Sequence, residues 1–488
     1  MYGKLSFSSY KISKKISNNL NSCKSIFEND GTLVIRRFSN KTVSTALVFF
    51  EGMVNTDIIT LGIGEAIINF KGDFNLKSFS ESLVYSNEIK EIESFDEIVK
   101  ALLQGDSVLF ADGFNKVLQI NTKGFLLRSV EEPASEKVTR GPREGFIENI
   151  IANTGLIRKR LQTADLVFEM QSIGTRANNR VSIAYLKGLV EKDKVDEIKE
   201  KLNEITIDGA IDTNVISEII REAKYSPFKT VGTTERPDVV SARLLEGKIA
   251  ILLDGSPVVL TLPCLFMENF QRNEDYYLNF YLATIIRIMR FTSFFLAISV
   301  PAIYISFVNF HWELIPPNLA LNIQRAHQEI PLTTFVECLF MIGVFEVIKE
   351  SGQRLSSGAG QAVSIIGALV VGQAAVEANL ISAPMVIVVA LSAITGLVNP
   401  KVNSTVIVLR FVSILAATMF GFFGFFLVWL FVIIHLLSIK SFGVNYLSQM
   451  TSEVKNSKDD LYLRMPWNKL YKRPAYVFWN KKRAKINE

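Results

Sequence analysis

Histidine and cysteine are scarce in this chain, with three of each among 488 residues. Cys23, Cys264 and Cys338 lie in separate regions, so they offer neither a disulfide framework nor metal-ligand spacing and suit small apolar fillers in a reducing compartment. His311, His327 and His435 form no H-x-x-x-H pair. Gly232, Gly247 and Gly255 do not spell a phosphate loop, and neither a nucleophile elbow nor a kinase signature is present. An enzyme is therefore not expected, and neither is a catalytic residue, a cofactor or a metal site. The basic N-terminus, MYGKLSFSSYKISKKISNN, is not followed by an apolar h-region, so no signal peptide is expected and the residues before the first apolar run are expected to stay in the cytoplasm.

Charge is missing from one stretch. Residues 291–440 hold 12 of the 101 charged side chains, residues 1–290 hold 75 and the last 48 residues hold 14. A bilayer crossing needs about 20 consecutive apolar residues. Residues 291–310 carry no charge, Leu355 to Pro400 contains only Glu377, and Phe411 to Ile434 contains none. The candidate spans are 291–310, 361–379, 380–399 and 406–437. A fifth segment, 331–349, is interrupted by Glu337 and Glu346 and reads as a crossing, as re-entrant or as interfacial. Alternatively, the last apolar run breaks near Gly421 and Gly424 into a tight hairpin.

From Ser441 onward ten Lys and Arg face four acids, and positive charge beside a final membrane segment marks the cytoplasmic side. Both ends should face inward, which makes the number of spans even, from four to six. The expected fold is an α/β cytoplasmic N-terminal region of two small subdomains followed by a polytopic α-helical transmembrane domain. Its boundaries are 1–135, 136–285 and 286–440, with a basic cytoplasmic tail over 441–488. That tail interleaves Trp467, Tyr471, Tyr476, Phe478 and Trp479 with Lys and Arg, a pattern suited to an anionic membrane surface rather than to nucleic acid.

Within the first unit, residues 41–55 and 107–122 read as strands, the second pair folded at Ala111-Asp112-Gly113, and 87–105 has helical character. Residues 131–144 read as a linker. The second unit starts with a helix over 146–162, followed by a hairpin around Thr175-Arg176-Ala177-Asn178-Asn179. Helices over 194–205 and 212–222 and strands over 248–263 complete it. No internal repeat is apparent.

Two polar segments, 140–161 and 226–259, are dense in residues with special backbone demands. Arg143, Glu144, Glu235, Arg236, Asp238 and Arg243 lie there as candidate subunit or interdomain contacts, and Arg143 and Glu144 can pair with Arg158, Lys159 and Arg160.

The residues Gly141-Pro142-Arg143-Glu144-Gly145-Phe146, Asn153-Thr154-Gly155-Leu156-Ile157-Arg158, Thr233-Thr234-Glu235-Arg236-Pro237-Asp238 and Leu253-Asp254-Gly255-Ser256-Pro257 resemble the A subunits of GerA-type spore germination receptors. So do Glu274-Asp275-Tyr276-Tyr277, Glu350-Ser351-Gly352-Gln353-Arg354-Leu355 and Val370-Val371-Gly372-Gln373-Ala374-Ala375-Val376. The resemblance runs from about residue 30 to 450. It implies a spore inner-membrane protein with its N-terminal region and tail on the core side. The implied partners are a transporter-like integral membrane B subunit and a lipoprotein C subunit. It further implies a homo-oligomeric ring, in contact with membrane lipid, acting as a ligand-gated cation channel that responds to amino acids, sugars or nucleosides. The stage V sporulation AF-type paralogues share these motifs, and a non-conducting scaffold subunit is the other alternative.

An ionisable group at the bilayer centre costs roughly 2.5–3.5 kcal/mol on insertion scales, so it persists only where it faces protein or water. Glu337, Glu346, Glu350 and Glu377 are therefore the candidate ion-pathway residues, and Arg410 is expected to snorkel to the interface. Glu337 and Glu346 fall on opposite helix faces, whereas Glu346 and Glu350 share one and Glu350 can reach Arg354.

Overall fold

The computed structural model describes residues 7, 9–39, 43–70, 75–82, 88–124, 133, 136–354, 367, 370–451, 460–470 and 473. Its N-terminal half is built around two Asp-Gly turns. Asp112-Gly113 joins strands β4 (Ser107–Ala111) and β5 (Val117–Ile120), and Asp254-Gly255 joins β9 (Ile249–Leu253) and β10 (Val259–Leu262). Both glycines take a left-handed φ, near 90°, which a hairpin turn demands and a Cβ would strain. In each turn the aspartate also caps a distant helix. Asp112 Oδ1 accepts from Ile16 N at 3.0 Å, at the start of α1 (Ile16–Ile26), and Asp254 Oδ1 accepts from Ile150 N at 3.1 Å, at the start of α5 (Ile150–Arg160).

This correspondence extends to both whole units, so the expectation of no internal repeat is corrected. Unit one runs α1, β1 (Leu33–Ser39), β2 (Ser44–Phe50), a π turn over Ile58–Gly64 leading into α2 (Glu65–Asn69), α3 (Leu76–Ser82), β3 (Ile89–Ile92), α4 (Phe95–Leu103), β4 and β5. Unit two runs α5, β6 (Leu166–Ile173), β7 (Asn179–Leu186), α6 (Lys192–Asn203), α7 (Thr213–Ile220), β8 (Gly232–Thr234), α8 (Pro237–Leu245), β9 and β10. The sheets have the same permuted order, β1-β2-β4-β5-β3 and β6-β7-β9-β10-β8, and every pairing is antiparallel.

The details repeat too. Asn19 exchanges two hydrogen bonds with the Ser13 backbone, as Asn153 does with Ile147, and Gly113 N donates to Lys14 O as Gly255 N does to Glu148 O. The sequence trace of this duplication is short. Leu102-Leu103-Gln104-Gly105 leads to Asp112-Gly113 over the same spacing as Leu244-Leu245-Glu246-Gly247 leads to Asp254-Gly255. Beyond this run and the Asn19 and Asn153 pair, the correspondence is mainly one of burial and topology. Segment 87–105 also divides: its first part is the edge strand β3, paired to β5, and the helix begins only after the Ser94 cap.

Arg158 joins the units. Its guanidinium is buried, pairs with Asp30 of unit one, and lies 3.9 Å from the ring centroid of Phe50 and 5.2 Å from that of Phe168. Beside it, a Cβ on Gly155 would stand 2.5 Å from Gly52 O, so α5 sits directly on the unit-one backbone.

The C-terminal half is helical. Among the described residues, two helices, Phe280–Phe310 (α9) and Pro400–Ser438, are long and apolar enough to cross a membrane. The second is not one rod. Within α13 (Asn403–Ser438), Gly421 has φ 57° and ψ −141°, a conformation essentially confined to glycine. Thr405 and His435 both reach the loop before β8, through Pro227 O at 2.6 Å and Ser226 Oγ at 2.9 Å, and Val406, Leu409, Val432 and Leu436 share one core. The chain therefore reverses at Gly421, giving arms of about 18 residues and roughly 27 Å each. This is the hairpin alternative raised by Gly421 and Gly424.

Phe310, at the far end of α9, packs on Gly421. Between these lie α10 (Pro317–Gln328), α11 (Thr334–Arg354), helical residues 370–377 and α12 (Ala383–Leu397). Fewer helices than the expected spans meet the length and apolarity test for physical reasons. Helix α11 carries several charges, α12 has 15 residues, and the expected span 361–379 falls partly outside the described residues. Of the basic tail, residues 460–470 pack on the base of α9, and Tyr471, Tyr476, Phe478 and Trp479 lie outside the described residues.

Candidate functional site

The polar residues of the second unit converge where it meets the helices. Pro237 opens α8 at a position that needs no N–H, which sets Arg236 and Asp238 on either side of the helix start. Arg236 grips Asp238 with two bonds, Nε to Oδ1 at 3.1 Å and Nη2 to Oδ2 at 2.8 Å. It also donates to the carbonyls of Pro142 and Glu136 in the linker, at 3.0 and 3.3 Å. Asp238 in turn accepts from Tyr277 Oη at 2.7 Å and Asn273 Nδ2 at 3.0 Å, just before α9. Linker, second unit and helix base thus meet at one buried ion pair. Burial works to raise the Asp238 carboxyl, but the bonds from Arg236, Tyr277 and Asn273 prevail and hold it below the ordinary carboxylate range. The Tyr277 phenol is pushed up by burial and then by Asp238, which keeps it a donor.

Glu136 makes a second tie. It accepts from Thr234 and from Glu235 N, and it pairs at 3.2 Å with Lys401 in the turn between α12 and α13. Burial acts to raise this carboxyl, and Lys401 with the hydrogen bonds lowers it further than burial lifts it.

The third tie was not foreseen. Asp275 is fully buried and holds Arg287 Nε at 3.3 Å and Arg290 Nη1 at 2.9 Å, both on α9. Asp460 of the tail closes the cluster on Arg287 at 2.7 Å and on the Tyr276 hydroxyl. The available signal was two arginines three apart at the start of an apolar helix, where lipid would reject them.

The other candidate contacts scatter. Glu144 pairs with Lys159 at 2.9 Å and Arg160 at 2.6 Å, as its spacing suggested, and Arg243 donates to Thr261 Oγ1 inside the second sheet. Arg143 is exposed, and the Glu235 backbone carbonyl accepts from Phe146 N.

The four helical carboxylates divide into two classes. Glu337 is buried, with Oε2 accepting from Ser382 N at 3.1 Å and Ser382 Oγ at 2.9 Å. Glu346 pairs with Arg410 at 2.6 Å and Lys349 at 2.9 Å. Arg410 is therefore buried as a partner inside the bundle, correcting the expectation that it snorkels. Glu350 and Glu377 are exposed, Glu377 accepting from Gln373 at 2.9 Å, and the Arg354 side chain lies outside the described residues.

A family model described as Bacillus/Clostridium GerA spore germination protein matches residues 21–476. Among curated relatives, the uncharacterized membrane protein YfkQ of Bacillus subtilis (strain 168) is 36% identical, covering 95% of this chain and 91% of its own length. Spore germination protein KA of the same organism is 34% identical over 96% and 87%, and spore germination protein GerLA of Bacillus cereus is 35% identical over 80% of each. The crystal structure of the N-terminal domain of the A subunit of the Bacillus megaterium spore germinant receptor GerK3 is 30% identical with a TM-score of 0.42, covering 53% of this chain and 98% of that one. With residues 21–476 matching its model, this chain belongs to the GerA spore germination protein family.

Proposed function

We propose that the chain is the A subunit of a nutrient germinant receptor in the spore inner membrane, a receptor component rather than an enzyme. In this reading it works with B and C subunits and assembles with its own copies into a ligand-gated cation channel in contact with lipid. Family membership and the names of its relatives support the receptor role. Six crossings are proposed: α9, α11, the helix containing 370–377, α12 and the two arms of α13. This count puts both units and the tail on one face, with α10 and the Gly421 turn on the other.

The observation that carries the channel reading is the outward placement of Gln373 and Glu377 on an apolar helix. A carboxylate facing lipid costs roughly 2.5–3.5 kcal/mol at the bilayer centre and less toward a helix end such as that of Glu377, so water or another subunit is the favoured neighbour of this face. A ring of such groups draws cations into a pore. The half-buried pair Glu346–Arg410 ties two helices of the same bundle together.

The test is cation efflux from liposomes holding the full chain with its B and C subunits, challenged with a panel of amino acids, sugars and nucleosides. Glu377→Gln is expected to slow efflux by roughly tenfold, the scale of charge focusing, with assembly intact. Unchanged efflux would remove Glu377 from the pathway. Absence of efflux from the wild type would favour a non-conducting scaffold.

A further inference from the structure

At the end of the bundle away from the α/β units, two buried atoms face one another without a hydrogen bond. Glu337 Oε1 and His327 Nε2 stand 3.5 Å apart, and among the described residues neither has another partner. The His327 tautomer is fixed by its other nitrogen, since Nδ1 lies 2.9 Å from the Ile323 carbonyl and only an N–H can satisfy a carbonyl. In a neutral ring Nε2 then carries a lone pair, aimed at a carboxylate oxygen that is also an acceptor. Two acceptors cannot bond until one of them takes a proton.

We propose that His327 and Glu337 form a proton-binding site that fastens α10 to the bundle. One proton added at Nε2 supplies the missing Nε2–H donor, which then bonds to Glu337 Oε1 while Oε2 stays on Ser382. A metal ion is a poorer occupant. Hard cations take six or more oxygens and avoid imidazole nitrogen, and no third His, Cys, Asp or Glu joins the pair among the described residues.

Among the described residues, the ionisable groups beside the pair on the helices packed against it are Tyr304 on α9 and Cys338 on α11, while Arg410 on α13 is engaged by Glu346. Glu329, just past α10, is engaged by Asn379, and Glu377 by Gln373. The bond is made at the acid end and lost as pH rises. In the six-crossing reading this end faces the compartment opposite the α/β units, and the proton site itself does not depend on that reading.

Amide hydrogen exchange of residues 317–328 in the full chain in detergent, corrected for intrinsic rates, tests the proposal. Protection should fall roughly tenfold between pH 5.5 and 8, the scale of one hydrogen bond to a charged group. His327→Gln and Glu337→Gln each bring an amide donor of their own, so protection should no longer change with pH in either variant. Equal protection of the wild type at both pH values, or a fall that persists in His327→Gln or in Glu337→Gln, would overturn the proposal.

Discussion

Replacing Asp275 by alanine is expected to lower the unfolding midpoint of the detergent-solubilised protein by roughly 10 °C, if it accumulates at all. The carboxylate is the shared anion for two buried guanidiniums. Without it, among the described residues, Arg290 keeps the Phe270 carbonyl at 3.2 Å and Arg287 keeps Asp460 as its one carboxylate. Breaking a buried pair from one side leaves an uncompensated charge and costs about 3–5 kcal/mol, a large share of the 5–15 kcal/mol that holds a domain. The control removes the charge from both sides. Asp275→Leu with Arg290→Met should recover most of the loss, because apolar residues of similar volume can replace a buried pair. A midpoint unchanged in Asp275→Ala would mean that the cluster does not bind α9 to the segment before it.

Arg158→Ala should separate the two units. It strips the buried Asp30 of its cation and removes a guanidinium packed on Phe50 and Phe168. A cost of about 3–5 kcal/mol corresponds to a hundredfold or greater rise in amide exchange along β1 and β2, with the strands of the second sheet affected less. Arg158→Lys keeps the charge but loses the planar fork and its stacking, so it should fall between the two. Equal exchange in wild type and Arg158→Ala would show that unit one is held by other contacts.

Strand and helix positions in the α/β units were legible because Asp-Gly turns and apolar periodicity are local signals. The duplication was not, since the two copies share burial and backbone geometry while few of their side chains beyond the Asp-Gly turns, the Leu-Leu-x-Gly run and Asn19 with Asn153 are the same. Asp106 with Lys123 in one becomes Lys248 with Glu268 in the other, the charges reversed across a similar edge. The Arg236–Asp238 pair was recognisable as a contact from its density of polar residues. Its partners Tyr277 and Asn273 are about 35 to 40 residues away in sequence, and no spacing rule brings them together. The same holds for Asp460, whose partners Arg287 and Tyr276 lie more than 170 residues earlier. Among the membrane carboxylates, charge alone could not distinguish Glu346, neutralised by Arg410 from another helix, from Glu377, whose neighbour on its own helix leaves it facing outward.

The α/β units and the tail are expected to occupy one side of a membrane crossed an even number of times. The three native cysteines are buried, so single cysteines can be introduced at Tyr225, Leu463 and Leu314, all exposed. In sealed vesicles, an impermeant maleimide should label Tyr225→Cys and Leu463→Cys from the same side and Leu314→Cys only from the opposite side. Labelling of Tyr225→Cys and Leu463→Cys from opposite sides would mean an odd number of crossings and would separate the tail from the α/β units.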